Sequence, residues 1–395
     1  MKILLIHNYH RKGSASGDDL VYRNEAELLE HHGHQVIRYT VNNDTFDAAN
    51  ILGKMRLTAS MLWSFSHYHN VFHICKTEHP DIVHVHTFFP LLSPAVLYAA
   101  KKSGCRVVAT LHDTRFICPC ATSLREGELC NLCGDGHYYR MVKYCCFKHS
   151  RIMSLIVAFI FSCHRRLKSF YKTIDCYICL NDNQIRLLSD IGFQVDKITK
   201  KYNFVEDKLT QVDTYEVNPD LPPRYVVFFG RIGEEKGIRQ LMSIWDLVDD
   251  IPLVVMGDGP LRDEFSQWAD EKKNVFYLGY TEHRKCLGIV NQAEFVVFPS
   301  IWYEGCSMVV IETESMGKPI VVSDIGFTSE AIDNGKNGYK IPMGDIEGFA
   351  NRVCELWNSP HLCKMMGESA RADYEAKYMK ENNYELLMEV YKSVL

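Results

Sequence analysis

The chain has 395 residues, a length that predicts two domains of roughly 150–200 residues rather than one core. With 47% hydrophobic and 24% charged residues, its composition is that of a folded globular protein and excludes a disordered or fibrous chain. The formal net charge of −5 argues against nucleic acid as a partner, because phosphate backbones are bound by clustered lysine and arginine.

The N-terminal stretch MKILLIHNYH enters a short apolar strand directly and lacks the apolar core of a secretory signal. We therefore expect the 15 cysteines to be thiols or metal ligands in a reducing compartment rather than disulfides. The longest apolar run, LIVAFIF at 155–161, is shorter than the roughly 18–20 residues that cross a bilayer. The sequence predicts a cytoplasmic protein, soluble or peripheral at the inner face of the membrane.

Short apolar strands alternate with helical stretches along the whole chain. The predicted strands are residues 2–8, 35–41, 81–87 and 106–113 in the first half, and 224–231, 251–260, 274–280, 293–300 and 318–326 in the second. This alternation predicts parallel βαβ units. The expected fold is α/β, with two doubly wound Rossmann-like domains that face each other across a cleft.

A polar, proline-containing seam divides the two halves. We expect an N-terminal domain at 1–202, a linker at 203–223 and a C-terminal domain at 224–375. The last segment, 376–395, has a helical pattern and is expected to pack back on the N-terminal domain.

Glycines and charged residues follow the predicted strands, where parallel sheets bind their ligands. In FFGRIGEEKG (228–237), Gly230 is followed by Arg231 and Lys236, a guanidinium and an ammonium suited to diphosphate oxygens. In MGDGP (256–260), Gly257 and Gly259 allow the backbone to approach a ligand closely. Taken alone, each stretch also fits a plain surface turn.

The stretch EGCSMVVIE carries two glutamates, Glu304 before a predicted helix and Glu312 within it. Both carboxylates can face a common ligand, and the backbone N–H groups at the helix start favour anions. Two solvated acids near a helix start are the alternative. His112, in TLHD at the end of a first-half strand, is a candidate hydrogen-bonding group for a sugar, or a structural histidine.

The order of a Gly/Ser loop after the first strand, TLHD, GRIGEEKG, MGDGP and EGCSMVVIE resembles the retaining glycosyltransferases of family 4, which have the GT-B fold. The resemblance covers essentially the whole chain. It implies that Arg231 and Lys236 bind the donor's diphosphate and that Glu312 holds the ribose. It implies that Glu304 and the backbone of the next four residues bind the donor sugar; these residues are Gly305, Cys306, Ser307 and Met308. It also implies that His112 lies near the reacting carbon and that the Gly13–Gly17 loop closes over phosphate or acceptor.

This resemblance implies sugar transfer from a nucleotide sugar to a glycan or lipid-diphosphate-linked saccharide, in surface polysaccharide assembly. No Asp-x-Asp motif stands out at a strand end, so metal-independent chemistry is expected, without a required cofactor. A phosphorylase- or sucrose-type enzyme and a non-catalytic sugar-nucleotide-binding protein are the alternatives. The wording EGCS departs from the commoner EGFG, which leaves the donor sugar open. An NAD-dependent oxidoreductase is disfavoured, because no G-x-G-x-x-G follows the first strand.

A cysteine-rich insertion occupies residues 118–146 of the N-terminal domain. Its Cys130-x-x-Cys133 pair, flanked by Cys118 and Cys146, has spacings suited to a structural four-thiolate zinc site. Unligated reduced thiols are the alternative.

Residues 140–172 contain eight lysines and arginines and no acid. They surround the apolar run IMSLIVAFIF, so this segment is a candidate for peripheral contact with an anionic membrane. A core-facing helix with a solvated basic end fits the same pattern.

Overall fold

Buried runs of valine, isoleucine and phenylalanine form the strands of two parallel sheets. The computed structural model describes residues 1–10, 17–207, 209, 221–248 and 250–395. The strands are β1 (Lys2–Tyr9), β2 (Gln35–Asn42), β3 (Ile82–Val85), β4 (Arg106–Leu111), β5 (Leu124–Arg125), β6 (Glu128–Leu129), β7 (Cys176–Cys179), β8 (Ile198–Lys200), β9 (Val226–Phe229), β10 (Leu253–Met256), β11 (Val275–Tyr277), β12 (Val296–Phe298), β13 (Ile320–Ser323) and β14 (Gly338–Ile341).

Helices follow nearly every strand of the two sheets. They are α1 (Gly17–His31), α2 (Asp44–Ala48), α3 (Ile51–Ser60), α4 (Phe65–Glu78), α5 (Ala95–Lys102), α6 (Tyr139–Lys143), α7 (Arg151–Arg166), α8 (Ser169–Thr173), α9 (Asp182–Asp190), α10 (Ile238–Trp245), α11 (Arg262–Asp270), α12 (His283–Gln292), α13 (Met308–Ser315), α14 (Gly326–Ala331), α15 (Ile346–Asn358), α16 (Pro360–Lys377) and α17 (Lys380–Val394). Within the described ranges, no helix combines the length and apolar character that crossing a bilayer requires.

The chain divides into two compact units. The first contains Met1–Ser123, Cys130–Tyr202 and Asn383–Leu395, and the second contains Leu124–Leu129 and Asn203–Asn382. Each unit holds one six-stranded parallel sheet, and β5 and β6 form a separate antiparallel hairpin.

The first sheet has the strand order β2-β1-β3-β4-β7-β8. Side chains alternate between its two faces, because successive residues of a strand point to opposite sides. Ile3 and Leu5 of β1 pack with α1 and α17, whereas Leu4 and Ile6 pack in the core that contains α4, α5 and α7. Both faces are therefore covered, as a doubly wound sheet requires.

The second sheet has the order β11-β10-β9-β12-β13-β14, which is the 3-2-1-4-5-6 order of a dinucleotide-binding sheet. All of its strand pairs are parallel. The expectation of two doubly wound α/β sheets is confirmed. The order of strands reverses between β9 and β12 here, and between β1 and β3 in the first sheet.

Candidate active site

The strand order of the second sheet defines one ligand position. Ligands of open parallel sheets bind beyond the carboxyl ends of the two strands at which the order reverses. Gly230 and Arg231 follow β9 at this point, and Ser300 and Glu304 follow β12. The sequence analysis identified these residues in separate stretches, and in the structure they follow two neighbouring strands at the same edge of the second sheet.

Lys236 and Glu304 form an ion pair at this edge. The Lys236 Nζ lies 2.6 Å from Glu304 Oε1, and the Ser300 hydroxyl donates to the same oxygen at 2.8 Å. The lysine ammonium also lies over the rings of Trp302 and Phe298, at 5.3 and 5.4 Å from their centroids. Because Glu304 is 5% exposed, its charge needs these partners, and they fix the carboxylate in place.

Arg231 supplies a second cation on the same loop. It follows Gly230, whose N–H donates to the Met256 carbonyl at 3.0 Å, and its side chain is 53% exposed. Its Nε lies 3.5 Å from Glu235 Oε1, a loose contact beside the tight pair of Lys236. The arginine is therefore accessible to an anionic ligand.

Glu312 has a partner that the sequence did not suggest. Its Oε1 lies 2.7 Å from Nε2 of His283, the first residue of α12, and Glu312 is 5% exposed. The imidazole is 46% exposed, so it contacts the carboxylate from the solvent side and is itself accessible to a ligand. The two glutamates thus contact separate basic partners, Lys236 for Glu304 and His283 for Glu312.

The start of α13 lies between the two glutamates. Ser307 precedes the helix, and no side-chain hydrogen bond from it caps the first turn in the described structure. Backbone N–H groups at such a helix start favour an anion. The thiol of Cys306 accepts a hydrogen bond from the Asn203 N–H at 3.4 Å and is 8% exposed, so this side chain packs into the unit.

The glycines of the two strand-end loops have a packing role. A Cβ on Gly257, at φ +145°, would lie 1.8 Å from the carbonyl oxygen of Gly230. A Cβ on Gly259 would lie 2.4 Å from the carbonyl oxygen of Ile232. The loops after β9 and β10 therefore touch backbone to backbone.

The indole N–H of Trp302 is buried without a hydrogen-bond partner among the described residues, which makes it a donor suited to a ligand oxygen.

In the first unit, His112 follows β4 directly. Its Nε2 lies 3.1 Å from Nδ1 of His86, the residue after β3. Burial lowers the pKa of His112, and the nearby Asp18 carboxylate opposes that change. Gly17 is the first residue of α1, whereas the rest of the predicted Gly13–Gly17 loop lies outside the described residues.

Behind His112 lies a buried polar network that the sequence did not reveal. Glu25 Oε1 lies 3.0 Å from His84 Nδ1 and 3.1 Å from His86 Nε2, and Lys201 Nζ lies 3.0 Å from Glu25 Oε2. In the part of the chain that the structure describes, Glu25, His84 and His86 are the group with three metal-type ligand atoms within 4.8 Å of one another. Because each of these atoms already faces a protein hydrogen-bond partner, the group fits a proton-ordered network better than a metal site.

The cysteine-rich insertion brings several thiols near each other. Cys120, which the predicted zinc set omits, lies near Cys118 and Cys146, and its interactions with these two thiols raise its pKa. The thiol hydrogen bond from Cys120, assisted by backbone N–H groups at 120, 122 and 123, lowers the pKa of Cys118 to about 6 despite burial. Burial and the nearby Cys118, Cys146 and Cys130 thiols raise the pKa of Cys133 to about 12. The predicted ligands therefore share one neighbourhood, although they do not form a three-ligand group within 4.8 Å of one another in the described structure.

Two protein-family models match the chain. The model for Glycosyltransferase Family 4 matches residues 20–209, and the model for Glycosyl transferases group 1 matches residues 214–373. The chain is 25% identical over 213 residues to alpha-D-kanosaminyltransferase of Streptomyces kanamyceticus, covering 50% of this chain and 55% of that protein. It is 23% identical over 225 residues to the capsular polysaccharide biosynthesis glycosyltransferase CapM of Staphylococcus aureus, covering 54% of this chain and 57% of CapM. The chain thus spans little more than half the length of these curated relatives.

A solved structure matches over the full length. The crystal structure of Anabaena HepE in complex with UDP superposes with a TM-score of 0.69 at 17% identity and covers 100% of both chains. This likeness shows the fold. Because the two family models together match residues 20–209 and 214–373, most of the chain, the chain belongs to glycosyltransferase family 4, with the two parallel-sheet units of the GT-B fold.

Proposed function

We propose that the protein is a retaining, metal-independent glycosyltransferase that moves a sugar from a nucleotide-sugar donor to a glycan or lipid-linked saccharide. The observation that carries the proposal is the Lys236–Glu304 pair at the point where the second sheet reverses its strand order. The UDP bound to HepE and the transferase names of the curated relatives support it.

The leaving group explains the cations. Transfer breaks the bond between the anomeric carbon and a diphosphate oxygen, so negative charge develops on the diphosphate. Arg231, Lys236 and the N-terminal N–H groups of α13 are donors that stabilise such charge without a metal ion. The acceptor hydroxyl attacks from the same face, and its proton passes to the departing phosphate oxygen.

The two glutamates hold opposite ends of the donor in this proposal. Glu304, oriented by Lys236 and Ser300, accepts hydrogen bonds from sugar hydroxyls, and Glu312, oriented by His283, accepts them from the ribose. His112 of the first unit contacts the sugar near the reacting carbon, as the family resemblance implies.

Release of nucleoside diphosphate from a panel of nucleotide sugars tests this function. Lys236→Ala and Arg231→Ala should each lower turnover by roughly 10²- to 10³-fold, the range for a lost oxyanion donor. Arg239→Ala is the matched control, because Arg239 is an exposed arginine of the same unit that pairs with Glu264. Equal turnover in all four proteins would contradict the assignment. Added Mg²⁺ should leave the rate unchanged.

The same assay separates the alternatives. An absolute need for inorganic phosphate or a free sugar as acceptor would identify a phosphorylase- or sucrose-type enzyme. A lack of turnover with every donor, despite binding, would favour a non-catalytic sugar-nucleotide-binding protein.

A structural zinc ion is a further part of the proposal. Cys118, Cys130, Cys133 and Cys146 would hold it, with Cys120 beside them, and the low pKa of Cys118 suits a metal thiolate. Elemental analysis of the metal-replete protein should give close to one zinc per chain, and Cys118→Ser should lose it. A zinc content near zero in the wild type would remove this assignment.

Peripheral contact with an anionic membrane at the cytoplasmic face is proposed for α7. Ile152, Leu155 and Phe159 are 73%, 59% and 58% exposed and recur at helical spacing on one face of α7. Basic residues surround this stripe and the segment 140–172 holds no acid, so charge and apolar surface both match an anionic bilayer. Buried residues line the opposite face, so the core-facing interpretation accounts for only half of this helix.

Vesicle flotation tests this contact. Phe159→Asp, and reversal of Arg166 and Lys168 to Glu, should each reduce binding to vesicles of anionic phospholipid. Leu247→Asp changes a 55% exposed leucine of the second unit and serves as the control. Binding that survives both stripe and charge changes would contradict the proposal.

A further inference from the structure

A continuous chain of hydrogen bonds, buried as far as His86, leads from α17 to His112 within the first unit. The Asn383 Oδ1 accepts from Lys201 Nζ at 2.9 Å, and Lys201 Nζ donates to Glu25 Oε2 at 3.0 Å. Glu25 Oε1 is 3.1 Å from His86 Nε2, and His86 Nδ1 is 3.1 Å from His112 Nε2. Asn383, Lys201, Glu25 and His86, which come from four separate segments of the chain, are thus linked by hydrogen bonds to the side chain of His112.

The Glu25 carboxylate is charged despite its burial. Both Glu25 and Lys201 have side chains that are 1% exposed. Burial alone would raise the pKa of Glu25, but the Lys201 ammonium, followed by His84 and His86, holds it well below its usual value. An ionised carboxylate can only accept hydrogen bonds, so His86 must donate to it from Nε2.

His86 is neutral, because burial lowers its pKa to about 3. A neutral imidazole carries one N–H, and that proton is on Nε2. The His86 Nδ1 is therefore an acceptor, and the donor in the contact at 3.1 Å is the Nε2–H of His112.

We propose that Glu25 and His86 are positioning residues that fix neutral His112 in the tautomer with its proton on Nε2 and its lone pair on Nδ1. His112 then offers a hydrogen-bond acceptor, and not a donor, to a sugar or acceptor hydroxyl. This catalytic meaning rests on the proposed function, whereas the tautomer itself does not. His84 touches Glu25 as well, but its second nitrogen binds Thr110 and not His112.

Other charged or titratable groups face His112 from three elements. They are Asp18 and Glu25 of α1, His7 of β1 and Asp113 next to it, in addition to His86. Burial, followed by His7, disfavours a charged imidazole at His112, whereas Asp18, Glu25 and Asp113 favour it. The tautomer is therefore measured at a pH well above the usual histidine pKa of about 6.5, where His112 is neutral.

Nitrogen-15 NMR of histidine-labelled wild-type protein reads the tautomer without any substrate. His112→Gln identifies the His112 signals by their loss. We expect a protonated Nε2 and an unprotonated Nδ1. The opposite pattern, or a mixture of both tautomers, would overturn the proposal, whatever the enzyme's activity.

His86→Phe removes the acceptor for His112 Nε2–H, and His84→Phe is the matched control, since it changes a second buried histidine that contacts Glu25. We expect His86→Phe to produce mixed tautomers at His112 and to lower kcat by roughly 10²-fold at unchanged donor KM. His86→Gln, whose amide can accept from His112 and donate to Glu25, should restore much of both. If His84→Phe disturbs the His112 tautomer as much as His86→Phe, the effect is structural and the proposal fails. If the NMR result holds but kcat does not change, the proposed role of His112 in transfer fails alone.

Discussion

Glu304 and Glu312 have different partners in the structure. Both are 5% exposed, yet Lys236 binds one and His283 binds the other. The sequence predicted that both lie around the start of α13. It did not predict either partner, because Lys236 is 68 positions from Glu304 and His283 is 29 from Glu312. Contacts at that separation depend on tertiary packing, which spacing along the chain does not encode.

Glu314, two residues beyond Glu312, is a fully buried acid with a different consequence. Its Oε1 accepts from Asn337 Nδ2 at 3.0 Å, while burial, followed by the nearby Asp373, raises its pKa well above its usual value. A folded-state pKa above the unfolded one means that protonated Glu314 is compatible with folding. The contribution of Glu314 to the free energy of unfolding should therefore be fully present below about pH 4.3, the pKa of an unfolded glutamate. It should be lost as the pH rises through the pKa of Glu314 in the folded protein.

We predict that Glu314→Gln, which keeps the acceptor for Asn337, is more stable than the wild type by an amount that grows with pH. Each tenfold difference between the folded and unfolded acid constants corresponds to about 1.4 kcal/mol. Urea unfolding between pH 5 and 8 measures the difference. Glu347→Gln, at an exposed acid of α15, is the control, and a constant difference across this pH range for Glu314→Gln would contradict the prediction.

At the scale of elements, apolar runs predicted nine of the 14 strands in the described part of the chain. Runs rich in valine and isoleucine correctly indicated β1 to β4 and β9 to β13. The predicted strands ended one residue early at β1 and β2 and extended beyond the observed strands at the others. The missed strands β5, β6, β7, β8 and β14 have four residues or fewer, among them CYIC and GYKI. Cysteine, glycine and lysine give weak strand signals, and pairing with the neighbouring parallel strands supplies what local preference lacks.

The contact between the loops after β9 and β10 gives a prediction at this scale. In Gly257→Ala, the added Cβ would overlap the Gly230 carbonyl oxygen at a backbone conformation that also disfavours a side chain. The two loops must separate, so we expect both a lower Tm and loss of diphosphate binding at Arg231 and Lys236. Thermal unfolding with and without UDP measures both.

Gly335→Ala is the control for this substitution. Gly335 also has a positive φ, of +82°, but a Cβ there would meet no atom within 4 Å. It should therefore suffer only the backbone strain, of roughly 1–3 kcal/mol, and keep its UDP response. Equal losses in both variants would show that strain, and not the overlap, decides the effect.

At the scale of the whole molecule, the sequence correctly predicted the fold class. The alternation of strands and helices predicted the doubly wound sheets. The glycines and charged residues after the strands indicated Arg231, Lys236 and Glu304 as candidate ligand-binding residues. It could not predict the Glu25–His86–His112 network, whose members come from α1 and from the ends of β3 and β4. It also gave the cysteine set without Cys120, because the thiol contacts depend on how the insertion folds.

The central claim is that the strand ends of the second sheet bind the diphosphate of a nucleotide sugar. Thermal shift with a panel of nucleotide sugars tests it directly, since a ligand that binds only the folded state must raise the Tm. The account predicts that at least one nucleotide sugar raises the Tm of the wild type and of Arg239→Ala, and that Lys236→Ala abolishes the rise. No rise with any member of the panel, or an equal rise in Lys236→Ala, would contradict it.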